Sequence, residues 1–249
     1  MTEAFSHRFD GLIWKMDIYE PAELLALEWR TTEGIPRFSV IHYSSGQLLA
    51  DAISYGDRWW TLAAVTAHQV LLHHYPQPNQ GQTSALAALS IDTGKILWER
   101  FNLQFQELLM EGIAVKQGFM GANDISVLDS YTGHTRISRT KLEKLRPLQR
   151  SIQVAQPTTD TPTIPLLAHT ALAGPYFRAT SGTREFWAYH VHQEKGFRLL
   201  LSVFDAGKII FNECIVDQLH QLLPETFFLV NQQLFFIRNN KQEIVSYFV

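Results

Sequence analysis

The chain is poor in the residues that staple or charge a protein. It has one cysteine, Cys214, among 249 residues. No internal disulfide can form, and no cysteine cage can hold a metal. An excess of either charge is also missing: 21 Lys and Arg against 24 Asp and Glu give a formal net charge of −3. Such a balance offers no broad basic face, so nucleic acid is excluded as the expected partner. No apolar run approaches the ~18 residues that a membrane-crossing helix needs. The segment 1–8 carries neither a basic stretch nor an apolar one that would read as a leader. We therefore expect no membrane span and a cytoplasmic location. P-loop, G-x-G-x-x-G, G-x-S-x-G and H-E-x-x-H patterns are absent too. No cofactor is expected. Helix signals are few: Pro21 heads Pro21–Trp29, and Pro147 breaks the stretch 141–149.

What is present is strand and turn. Ala88-Leu89-Ser90-Ile91-Asp92-Thr93-Gly94-Lys95-Ile96-Leu97-Trp98 reads as two apolar strands joined by a turn at Asp92-Thr93-Gly94. Gly supplies the positive φ, and Asp and Thr hydrogen-bond turn backbone. Similar turn glycines sit at Gly11, Gly46, Gly133 and Gly207, at spacings of 35, 48, 39 and 74 residues along the series. The first three bracket the ~40–50 residues of a four-stranded propeller blade. The long last interval holds a Pro- and Thr-rich loop, Gln156 to Pro165.

The wording of the central hairpin resembles the blade repeat of pyrroloquinoline-quinone-type β-propellers, roughly A-L-D-x-x-T-G-K-x-x-W. At Gly94 the match departs only at Ser90, which stands where the repeat has Asp. At Gly133 the half Leu128, Asp129, Thr132, Gly133 is present without a following Trp. The resemblance implies an all-β fold: a small propeller of five blades, with six as the alternative, in one domain spanning 1–249. It also implies that Trp98 is buried between one blade and the next. It carries no quinone chemistry, since no vicinal cysteine pair or Ca²⁺-ligand cluster is found. The segment Phe9 to Trp14 and the pair Trp59-Trp60 are also similar to an uncharacterised family of Bacteroidetes proteins, which lends no activity.

A propeller needs its ring closed, because an open sheet edge leaves unpaired N–H and C=O groups. We expect N- and C-terminal strands to pair, with Leu12 to Ile18 lying beside Glu243 to Val249. The six tryptophans, Trp14, Trp29, Trp59, Trp60, Trp98 and Trp187, recur about once per blade, which suits packing between blades. Trp59-Trp60 are neighbours with opposite faces, so one is core and the other a binding candidate.

Ten histidines invite a metal reading. His190 and His192 sit at i and i+2, so both rings share one face of a strand. With a third donor they are candidate metal ligands; without one they are polar side chains on a solvent face. Asp129 and Asp205 are expected to cap turns. Cys214 is expected to be an inert buried thiol. The absence of catalytic motifs favours a non-catalytic binding or scaffold propeller for a protein or small-molecule partner. The alternative is a metal-dependent hydrolase or lyase using channel-facing histidines.

Overall fold

The computed structural model describes residues 1–76, 84–117, 124–160, 172–224 and 226–249. The sequence also reads as strand over Phe119 to Ala122 and His169 to Arg178; the first, and the start of the second, lie outside the described residues. The chain forms two compact units, one of residues 13–150 and one of residues 1–12 with 151–249. Among the described residues there are five antiparallel sheets. Helix is confined there to two 3₁₀ turns, Glu20–Ala22 and Leu142–Lys144.

The chain opens with β1 (Thr2–Arg8). Then come β2 (Leu12–Tyr19), β3 (Leu24–Arg30), β4 (Pro36–His42) and β5 (Gln47–Ile53), which make one sheet in that order. The next sheet is β6 (Trp60–Val65), β7 (Gln69–His74), β8 (Ala85–Ser90) and β9 (Ile96–Phe101). The third is β10 (Leu103–Leu109), β11 (Gly112–Gln117), β12 (Ile125–Leu128) and β13 (Thr135–Thr140). In the other unit, β14 (Gln153–Val154) stands apart in sequence from its sheet. The sheet of β15 (Gln156–Thr158), β16 (Leu172–Ser181), β17 (Arg184–Gln193), β18 (Gly196–Asp205) and β19 (Lys208–Leu219) follows. Last come β20 (Phe227–Val230), β21 (Gln233–Arg238) and β22 (Glu243–Phe248), completed as β1-β22-β21-β20-β14.

The glycine turns build the first unit. Gly46, Gly94 and Gly133 have φ of 72°, 67° and 65°. Each donates its N–H to the carbonyl four residues earlier, on His42, Ser90 and Asp129, at 2.9 Å. A side chain would strain this left-handed backbone. Asp129 caps its turn fully: Oδ1 accepts from Tyr131 N, Thr132 N and the Thr132 hydroxyl. Ser90 caps less, accepting one bond from Thr93 N at 3.2 Å. Gly207 does not belong to this series. It shares a two-residue turn with Ala206, both at positive φ, and Asp205 pairs directly with Lys208. That is the tight hairpin turn whose twist matches its strands. Asp205 accepts from the Thr183 hydroxyl and Arg184 of the adjoining hairpin.

Packing explains the apolar runs. On β8, Ala85, Ala87 and Leu89 face the core shared with β3, β4 and β5, including Phe38 and Val40. Leu86 and Ala88 face the opposite core with Leu103, Ile113 and Val115. A strand covered on both faces loses polar alternation. Trp98 closes that second core, 6% exposed, and its Nε1 donates to Ser130 O at 3.0 Å. In the other unit, Phe177, Phe186, Leu199 and Leu201 pack against Phe227, Leu234, Phe236 and Val245.

Three expectations are corrected. N- and C-terminal strands do pair, but through β1: Thr2 lies opposite Phe248 and Arg8 opposite Glu243. Leu12–Tyr19 is instead the first strand of the sheet β2-β3-β4-β5. The segment 2–8 offers little apolar character, with Phe5 its buried aromatic side chain. As an edge strand it is held by backbone bonds and by the Ser6 hydroxyl donating to Glu243. Second, Trp14 is not packed inside; it is 65% exposed, with the Arg30 guanidinium 5.0 Å over its ring. Cys214 is exposed rather than buried.

Candidate functional site

A cavity of about 320 Å³ opens where the chain leaves β9 for β10. Asn102 makes the corner with φ 58°, which Asn tolerates, and its N–H donates to Ser84 O. That corner places Arg100 and Phe101 on one wall. Leu103, Val115 and Leu128 supply an apolar floor, and Gln117, Ser126, His134 and Thr135 a polar side. The size and the mixture suit a small-molecule pocket.

Arg100 dominates its electrostatics. Nε donates to Gly133 O at 2.9 Å and Nη1 to Glu99 O at 3.0 Å. Nη2 lies 3.4 Å from both Thr132 O and His134 Nδ1. Among the described residues Arg100 forms no ion pair with a carboxylate. Phe101 is 68% exposed at the rim.

A smaller cavity of about 150 Å³ lies beside Gln69, walled by Tyr19, Thr66, His68 and Tyr131. The Gln69 amide donates to Ser130 O at 2.6 Å, while its buried Oε1 has no partner. His68 and Tyr131 rings lie 5.3 Å apart.

Buried titratable groups collect on β2, β3 and β7, with partners on β6. Glu28 is fully buried; its Oε2 accepts from Leu62 N at 2.8 Å and from the Thr61 hydroxyl, and its Oε1 pairs with Arg30. Lys15 donates to Leu62 O at 2.6 Å; burial holds its pKa down, against the pull of Glu28 and Asp17. Asp17 accepts from Val65 N and pairs with Arg150, yet burial pushes its pKa up. His73 is 8% exposed, and neither ring nitrogen has a partner. Burial first, and the Lys15 charge second, lower its pKa to about 4. Glu28, Asp17 and Lys15 each bond to backbone of β6, so the cluster reads as sheet-to-sheet docking.

The histidine pair separates. His190 is buried and its Nε2 accepts from Leu223 N at 3.1 Å; burial lowers its pKa. His192 is exposed, 5.1 Å from the Phe197 ring. No third donor joins them: among the described residues no three His, Cys, Asp or Glu side chains converge for a metal. Trp60 is core, edge-on to Tyr55 at 4.8 Å. Trp59 is half-buried just before β6, its carbonyl accepting from Tyr75 N. The Arg100 cavity is not legible in the sequence because its members are scattered over 100–135, and the two that belong to a repeat, Leu128 and Gly133, read there as strand and turn residues.

The described chain is thus an all-β protein of antiparallel sheets with a polar-lined pocket. A family model described as "Domain of unknown function (DUF4905)" matches residues 18–98, from the end of β2 to Trp98. No curated protein matches the chain. Among solved structures, BamB from Moraxella catarrhalis is similar over 100% of this chain and 99% of that one, at 11% identity and a TM-score of 0.34. No helix among the described residues is long and apolar enough to cross a membrane.

Proposed function

We propose that this chain is a non-catalytic binding module whose small-molecule ligand occupies the Arg100 cavity. The observation that carries the reading is that cavity: apolar side chains, one guanidinium and a few hydroxyl, amide and imidazole groups line it. Binding sites have this composition, whereas acid–base work needs a paired, poised donor and acceptor. The scaffold in this reading is a single five-bladed ring over 1–249. Five sheets, three equivalent glycine turns and the β1–β22 pairing support it. A cytoplasmic location belongs to the same proposal, since the exposed free thiol of Cys214 suits a reducing compartment.

The test is a fragment screen followed by amide chemical-shift mapping on the whole protein. Hits that shift the Gly133 and Thr135 amides, return unaltered, and are lost in Phe101→Ala support the reading. Hits that never perturb those amides, or are chemically converted, overturn it.

A further inference from the structure

We propose that the ligand of the Arg100 cavity is a small organic carboxylate with a compact apolar body. The inference rests on the binding reading above and adds the chemistry of the ligand.

Charge is the first argument. Arg30, Arg146, Arg150, Arg184, Arg198 and Arg238 each sit within 4.0 Å of a carboxylate of this chain. Among the described residues Arg100 does not, as Arg8, Arg37, Arg58 and Arg139 do not. Arg100 is the one of these that lines the cavity, and no Asp or Glu is among the described lining residues. A guanidinium that lines a cavity without a counter-charge can attract an anion. The second argument is valence. Three backbone carbonyls, of Glu99, Thr132 and Gly133, and the His134 ring nitrogen already engage N–H groups of this guanidinium. What is left is one N–H on Nη1, which suits a single carboxylate oxygen, with Gln117 and Thr135 for the other, rather than a dianionic phosphate with three oxygens to satisfy. The third is the apolar part. Leu103, Val115 and Leu128 have no use for an inorganic ion, and the Phe101 ring stands largely in water. Leu103, Val115 and Leu128 are already out of water, at 6%, 0% and 2% exposure, so the apolar surface a ligand body would cover is that of the Phe101 ring. The volume, about 320 Å³, corresponds to roughly ten waters at their liquid share. It fits a carboxylate carrying a phenyl or branched aliphatic group.

The experiment titrates the intact protein with phenylacetate and 3-methylbutyrate, each against its neutral amide, and with inorganic phosphate. Amide shifts of Gly133 and Thr135 are the readout. We expect each carboxylate to bind about tenfold or more tightly than its amide, a preference that added salt weakens. Phosphate should leave those amides unmoved. Arg100 also holds the turn at Gly133, so Arg100→Gln risks the fold. Phe101→Ala, whose ring is exposed, keeps the fold and should weaken carboxylate binding about tenfold. Amides binding as well as carboxylates would overturn the ligand class while leaving the binding reading standing. Phosphate binding preferred over both carboxylates would overturn it in the same way. If neither carboxylates nor amides move those residues while other neutral fragments do, the carboxylate inference falls alone. If nothing in the screen moves them, both fall.

Discussion

Gly133 lies directly beneath the indole of Trp98. A Cβ built on Gly133 would stand 2.6 Å from Trp98 Cδ2, and the glycine has φ 65°. The hairpin of one sheet thus docks against the outer strand of the sheet before it. A weaker version recurs one sheet earlier, where Ile53 on β5 lies 3.6 Å from the Cβ position of Gly94. Gly133→Ala should cost about 1–3 kcal/mol from backbone strain alone, and more once the indole is displaced. Trp98→Ala should cost about 3–5 kcal/mol, as large core truncations do. Because the new methyl group enters the space the indole vacates, the double variant should lose less than the two singles added. Urea midpoints at unchanged slope measure this. Strict additivity would mean that the two residues do not share one contact.

Much of this docking is legible in residues. Ala88 to Trp98 names its own turn, and Asp129 with Thr132 and Gly133 repeats it. The ends were harder to read. Strand β1 is a polar edge strand held by its backbone, and composition cannot distinguish that from a tail. The stretch 12–18 looks more like a closing strand because its sheet buries Ile13 and Ile18. Gly207 has the right neighbours but a two-residue turn, which depends on register rather than composition. The shared face of His190 and His192 follows from strand alternation, but their separate fates do not. Burial of the first is decided by Leu223, over thirty residues away. The Arg100 cavity assembles from β9, β10, β11, β12 and a hairpin, so no window of sequence contains it.

The N-terminal edge strand should be indispensable. Removing residues 1–8 strips β22 of its partner and leaves Ile244, Val245 and their backbone at an open edge. We expect a lower melting temperature and concentration-dependent aggregation on size exclusion. A truncated protein that stays monomeric and melts unchanged would show that the pairing contributes nothing.

Acid should weaken the fold through His73. Its pKa falls from 6.5 to about 4 in the folded protein. The unfolded chain therefore takes up the proton first as pH drops, and stability is lost between roughly 6.5 and 4. The full effect is about 3 kcal/mol at 1.36 kcal/mol per unit. His190 shifts in the same direction. Asp17, whose pKa is raised, works the opposite way. The charged group that bears on His73 is Lys15, and its ring neighbours are Tyr75 and Phe105. His73→Gln should flatten the stability profile over that window in denaturation series at pH 7, 6, 5 and 4. A profile as steep as the parent's would remove His73 as the cause.

Glu28 gives the sharpest test of how the first unit is joined. Its carboxylate, wholly out of solvent, accepts Leu62 N and the Thr61 hydroxyl of β6 with one oxygen and Arg30 with the other. All of its partners are donors. Glu28→Gln keeps the shape but turns one oxygen into an NH₂ group, which must face a donor whichever way the amide is placed. It also leaves Arg30 without its counter-charge. Breaking a buried pair from one side costs about 3–5 kcal/mol. Thr61→Ala removes one donor and should cost nearer 1 kcal/mol, the net value of a typical hydrogen bond. Replacing both charged partners, as Glu28→Met with Arg30→Leu, should recover part of the loss. It should not recover all of it, because the Leu62 N–H keeps its burial and loses its acceptor. The expected order of denaturation midpoints is parent, Thr61→Ala, the apolar double variant, then Glu28→Gln. A Glu28→Gln midpoint at or above that of Thr61→Ala would refute a bridging role for this carboxylate.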